Sequence, residues 1–143
     1  MPSALVIALV ASMVLQQSAG QRFAGRWAAD HQGRPFVRLD LTSSNGALAG
    51  RIQLADIHVD ATGDVETVRN DLSEPRPQLD ITLRNQTVAF SGRDSNDSDQ
   101  FELTVIDDRT AELRFVLSDA DRLELAQDGI PVPRPIRLTR LPQ

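Results

Sequence analysis

Cysteine, lysine and tyrosine are missing from this chain of 143 residues, and tryptophan occurs once. Without cysteine there is no disulfide, no thiolate metal site, no cysteine nucleophile and no lipid-modified N-terminal cysteine, so stability has to come from packing. Without lysine there is no Schiff-base amine. All 15 basic side chains are arginine, scattered along the chain in the manner of GC-rich coding bias and not clustered as a binding pattern. Histidine is almost as scarce. His31 and His58 are the only two, they have no metal-ligand spacing between them, and both are expected to be ordinary surface residues. No nucleophile elbow, zinc-binding H-E-x-x-H, phosphate-cradling loop or dinucleotide fingerprint occurs, so no catalytic residue and no cofactor are expected. Acidic residues are plentiful, but no spacing selects an acid/base pair, and the chain leans away from an enzyme.

The formal charge is −5, and residues 1–20 contribute none of it. Such a surface repels phosphate backbones and anionic lipid, which argues against nucleic-acid and membrane-surface partners. The densest run of oxygen ligands, Asp94-Ser95-Asn96-Asp97-Ser98-Asp99, begins like a calcium loop. It then has Asp99 where the loop's glycine belongs and Val105 where its glutamate belongs, so a solvated loop is expected and no metal. Asn85-Gln86-Thr87 and Asn96-Asp97-Ser98 are formal glycosylation sequons.

Long apolar runs are confined to Ala4–Leu15, which is too short for a permanent membrane span. Gln16-Gln17 and then the small residues Ser18-Ala19-Gly20 follow, in the order a signal peptidase reads. Residues 1–20 are therefore expected to be a signal peptide cleaved after Gly20, with an uncleaved anchor as the alternative. Residues 21–143 are expected to form one domain, secreted or periplasmic, with no membrane contact once the signal is gone.

Beyond residue 20 the pattern is alternation. Phe23, Gly25 and Trp27 share one phase of a first strand, Val37, Leu39 and Leu41 a second, and Leu48, Gly50, Ile52 and Leu54 a third. Asn45-Gly46 between the last two is a hairpin signal, Ala28–Arg34 reads as a loop, and Gly50 marks a potential bulge. The stretch from Asp56 to Gln78 offers only short polar strands, and Glu74-Pro75-Arg76-Pro77 is expected to break any ladder. Leu79, Ile81 and Leu83 resume the alternation, followed by Val88 with Phe90, Phe101 with Leu103 and Val105, and Leu113 with Phe115 and Leu117. Asp119–Gln127 reads as a further strand or a short helix. Pro131, Pro133 and Pro135 make a rigid approach to a last strand, on which Ile136, Leu138 and Arg140 share a phase. The expected fold is all-β: a single antiparallel up-and-down meander of about eight to ten strands closed into a small barrel, with a two-sheet sandwich as the alternative.

A buried Trp27 needs a partner for its ring N–H and favours a cation over its face, and the phase of the last strand nominates Arg140. Gly25-Arg26-Trp27 matches the G-x-W of lipocalin-like (calycin) barrels, and the chain resembles that family from about Arg22 to Arg140. In those barrels a first-strand tryptophan at the closed end is covered by an arginine from near the C-terminus. The resemblance implies a structural role for Gly25, Trp27 and Arg140. The layout is also similar to small secreted bacterial β-domains.

A closed barrel of about eight strands can hold one small apolar molecule, with Trp27, Phe90, Phe101 and Phe115 as the expected ligand-binding residues. The expected function is thus an exported binding module for a small apolar ligand. The alternatives are a protein-interaction role and a structural domain without ligand. Secreted barrel-type protease inhibitors resemble this chain in size and opening strand, though the cysteine pair expected of them is absent.

Overall fold

The computed structural model describes residues 20–84, 87–93 and 98–142. The expected signal up to residue 19, the Asn85-Gln86 turn and residues 94–97 of the acidic run lie outside them. The strands are β1 (Gly25–His31), β2 (Arg34–Ser44), β3 (Ala47–Leu54), β4 (Ile57–Val59), β5 (Val65–Val68), β6 (Arg76–Arg84), β7 (Thr87–Arg93), β8 (Ser98–Asp107), β9 (Thr110–Val116) and β10 (Ile136–Arg140). The helix α1 (Asp119–Gln127) lies between β9 and β10, and residues 20–23 are also helical.

Eight strands close a ring in the order β1-β10-β9-β8-β7-β6-β3-β2 and back to β1, every pair antiparallel. The fold is the all-β barrel that the alternation predicts. The meander is broken once, where the chain leaves the wall after β3, forms the separate hairpin β4–β5 and re-enters as β6.

Local chemistry sets the turns. Asn45 and Gly46 have φ of 53° and 80°, the doubly positive pair whose twist matches that of the flanking strands. Gln32 and Gly33, at 52° and 79°, make a second such turn. The expected loop over Ala28–Arg34 is thereby corrected to a two-residue connection, since Ala28 and Ala29 are small enough to continue β1 as buried residues. Gly50 makes no bulge, because β2 and β3 stay in register from Val37 opposite Leu54 to Ser44 opposite Ala47. The register shifts lie instead at Ala29/Asp30, Leu79/Thr82 and Val105/Asp107. Pro77 does not break the ladder. It sits at the second residue of β6, opposite Arg51, where a missing N–H costs least.

Asp119–Gln127 is a helix because Ser118 caps it. The Ser118 hydroxyl accepts from the Asp121 N–H at 3.1 Å, and the Asp121 carboxylate accepts from the Ser118 N–H at 3.4 Å. The helix buries none of its residues, and Leu123 is 60% exposed.

The core runs through the ring, from Trp27 and Leu138 near where β1 begins to Val37 and Ile136 towards the other end. Trp27, Phe23, Leu39, Leu41, Leu103, Leu113 and Leu138 are each at most 1% exposed, a burial worth about 1.5–3 kcal/mol for each aliphatic side chain. Trp27 stands opposite Arg140 in the ladder, and the Arg140 guanidinium lies 4.3 Å from the centre of its ring system. The indole Nε1 donates to the Phe23 carbonyl at 2.9 Å. Arg140 Nη1 donates to the Ala24 carbonyl, and Nη2 donates to that of Arg22 at 2.7 Å. Gly25 has φ of 130°, and a Cβ there would lie 3.0 Å from Arg140 Nη1, so glycine both adopts the backbone and leaves room for the arginine. Phe23, on the helical turn, completes the seal.

The ladder between β3 and β6 is short, as is that between β1 and β10: its register pairs are Arg51 with Pro77 and Ile52 with Arg76. Beside this seam Leu48, Ile81 and Leu83 are only partly buried against the core.

Candidate functional site

The opposite end of the barrel carries the concave surface. The β4–β5 hairpin packs over the Ala29–Phe36 rim with Ile57, Val59, Val65 and Val68 on its buried side. Phe36, out of phase with Val37, is nevertheless 5% exposed because this hairpin covers it. Hydrogen bonds hold the hairpin down. Arg34 donates to the carbonyls of Val68 and Asn70, and Asn70 Oδ1 accepts from the Asp56 N–H at 2.7 Å. At the tip, the Arg134 N–H donates to the Gly63 carbonyl at 2.9 Å, tying in the proline-rich segment. Gly63 has φ of 91°, and a Cβ there would lie 2.4 Å from the Val132 carbonyl oxygen, so only glycine permits this approach.

Between the hairpin, the end of β9, helix α1 and the proline-rich segment runs a groove of about 740 Å³. Its walls are Ile57 and Val59, Phe115 and Leu117, Leu125, and Ile130 with Pro131 and Pro133. Ile130 and the neighbouring Val132 are 48% and 45% exposed. A second cleft of about 520 Å³ opens at the barrel mouth, lined by Phe36, Val37, Leu54 and Ile136 and sharing Ile57 and Phe115 with the groove.

The groove's polar rim is His58, Glu66 and Arg69. Arg69 Nη2 lies 3.1 Å from His58 Nδ1, and His58 Nε2 lies 3.7 Å from the Glu66 carboxylate. A guanidinium only donates, so His58 Nδ1 accepts and the ring proton sits on Nε2, facing Glu66. The ring has no free lone pair in this arrangement, and a general-base role for His58 would require Arg69 to leave. His31 Nε2 contacts the Glu66 main-chain oxygen at 3.0 Å, and since a carbonyl accepts, that nitrogen donates. The two histidines, expected as ordinary surface residues, both contact Glu66 of β5. Among the described residues no group of three or more His, Asp or Glu side chains is placed to hold a metal.

The four ligand-lining candidates separate into two groups. Phe90, Phe101 and Phe115 form a ladder across β7, β8 and β9, with ring centres 5.5 Å and 5.3 Å apart. Phe90 and Phe101 are 3% and 1% exposed and border a cleft of about 250 Å³, whereas Phe115 reaches both the groove and the mouth. Trp27 is 0% exposed, and Arg140 and Phe23 use up its surface, leaving none for a ligand. Sequence reasoning missed Ile130 and the wall on which the β4–β5 strands pack. The one available signal was Ile130-Pro131-Val132-Pro133, in which apolar side chains alternate with prolines in a segment that no ladder buries.

Fold and groove together define a small antiparallel barrel sealed at one end and carrying an apolar groove at the other. No protein-family model, curated protein or solved structure matches the chain.

Proposed function

We propose that this chain is an exported binding module that takes one small apolar molecule in the groove between β4–β5 and the α1–proline segment. The observation that carries the reading is the groove itself: about 740 Å³ of mainly aliphatic and aromatic wall, with Ile130 half exposed. That volume lies within the range of about 300–1,000 Å³ usual for small-molecule sites. Export rests on the apolar run Ala4–Leu15 and the small residues ending at Gly20. Among the described residues no helix is long and apolar enough to cross a membrane.

Trp27 is at the wrong end to report occupancy, so the test uses an extrinsic probe. An anilinonaphthalene sulfonate dye added to the purified chain is expected to brighten with a saturable one-to-one isotherm and to be displaced by medium-chain fatty acids. Ile130→Asp, at an exposed position, is expected to abolish the signal without lowering Tm. A dye signal absent from the parent chain, or unchanged in Ile130→Asp, would retire the proposal.

A further inference from the structure

The groove has one wall built into the body of the protein and one that stands clear of it. Ile57 and Val59 sit on the docked hairpin, and Phe115 lies against Phe101 near the end of β9. The facing wall, Leu125 and Ile130 with Pro131 and Pro133, belongs to the stretch between β9 and β10. That stretch is fixed at its two ends. Val116 pairs with Gln100 in the ladder, and the Arg134 N–H donates to the Gly63 carbonyl.

Between those ends nothing polar ties it to the barrel. Among the described residues, the hydrogen bonds of 118–130 stay within the stretch: Ser118 with Asp121 and Arg122 at its start, and Asp128, Gly129 and Ile130 with helix carbonyls at its finish. Residues 118–130 also make no ion pair among the described residues. The helix α1 has nine residues and buries none, with Leu125 alone partly covered. Helices shorter than about 12–15 residues are marginal in water unless they pack. Glu124 and Asp128 add negative charge at the end where the helix dipole is already negative, and no basic residue stands in the last turn. The same end has a second feature. Gly129, at φ of 68°, donates to the Ala126 carbonyl at 3.2 Å, and Ile130 donates to that of Leu125 at 2.9 Å, the paired bonds of a Schellman cap. The cap joins Leu125 to Ile130, so these two groove-lining side chains move as one piece.

We propose that residues 118–130 form a strap over the groove, loose while the groove is empty and drawn down when an apolar molecule fills it, with Leu125 and Ile130 as its underside. The inference rests on the binding reading above and adds the regulation of that site. An occupant supplies the buried apolar surface that α1 otherwise lacks, and covering Leu125 and Ile130 removes them from water. Occupancy and helix order are then linked in both directions, and the observed affinity is lowered to the extent that the strap is open in the free chain. Leu123, two positions before Leu125 and so on the far side of the helix, is 60% exposed and takes no part.

The test is amide hydrogen exchange on the purified chain, with and without the anilinonaphthalene sulfonate dye. In the free chain the amides of Arg122, Asp128 and Ile130 are expected to exchange much faster than those of β8 and β9, and saturating dye is expected to slow these three about tenfold or more. Two substitutions separate strain in the cap from added bulk. Nothing lies within 4 Å of where a Cβ on Gly129 would be, so Gly129→Ala strains the Schellman cap without a clash. It is expected to weaken the dye about fivefold and to leave Tm unchanged. Gly129→Asn, larger but tolerant of positive φ, is expected to bind more tightly than Gly129→Ala. Dye that binds while α1 exchange stays the same would overturn the strap and leave the binding reading in place. So would α1 amides as protected as β9 in the free chain, slowing confined to β8 and β9, Gly129→Ala binding at parent strength, or Gly129→Asn binding more weakly than Gly129→Ala. A parent chain that does not bind the dye would remove the binding reading and the strap together.

Discussion

Trp27 contributes a side chain with no exposed surface, a hydrogen bond to Phe23 and a stacked guanidinium, and all three go when it is truncated. Trp27→Ala should cost about 3–5 kcal/mol for the lost burial and cavity, with about 1–2 kcal/mol more for the cation above the ring. Urea unfolding should show this as a large drop in midpoint, and an unchanged midpoint would mean that the core lies elsewhere. Asp60 illustrates a smaller effect. The Thr62 hydroxyl donates to its carboxylate at 2.6 Å, and the main-chain N–H groups of Thr62 and Asp64 donate to the same oxygen, holding the Asp60 pKa below its ordinary value against the opposing cost of desolvation. A carboxyl lowered in this way stabilises the fold fully above its ordinary pKa and loses that contribution as pH falls through the folded value. Acidification below the usual carboxylate range should therefore loosen the β4–β5 tip. Thr62→Val should move the Asp60 titration, followed by NMR, back up towards the ordinary value, and an unmoved titration would show that the hydroxyl has no part in it.

At the scale of elements, the β4–β5 hairpin is the piece whose attachment decides whether a groove exists. Its tip is tied to the proline-rich segment through Gly63, where an added methyl group would meet main chain and not a side chain that could swing away. Gly63→Ala should destabilise the docked hairpin by roughly 1–3 kcal/mol, from strain at positive φ and the steric conflict together. Hydrogen exchange should speed up at Asp64 and Arg134 while β8 and β9 stay protected, and an unchanged rate at those two amides would show that the contact carries no load. This element was only half legible in the sequence. Ile57 with Val59 and Val65 with Thr67 show short strands, but nothing in four-residue patterns says which wall they lean on. Helix α1 was equally ambiguous, since Leu123 and Leu125 fit a strand as well as a helix, and the cap at Ser118 decided between them.

For the whole molecule, the ring was legible because each hairpin is a local event: alternating phases and turns such as Asn45-Gly46 lie within a few residues of one another. Trp27 facing Arg140 was legible for a different reason, as an aromatic side chain in the core phase needs a donor and a cation, and the last strand offers one in the right phase. The groove was not legible. Its walls come from residues 57–69, 115–117 and 125–133, and periodicity reports which way a side chain points, never which distant segment fails to cover it.

Both ends of the described chain leave from a single pole. Leu141 bonds back to Arg26, and Arg140 clasps the main chain at Arg22 and Ala24, so the first and last segments emerge side by side. A tether, fusion partner or surface joined directly at Gln21 or Pro142 would therefore hold the molecule by its sealed base and turn the Ile130 groove outward.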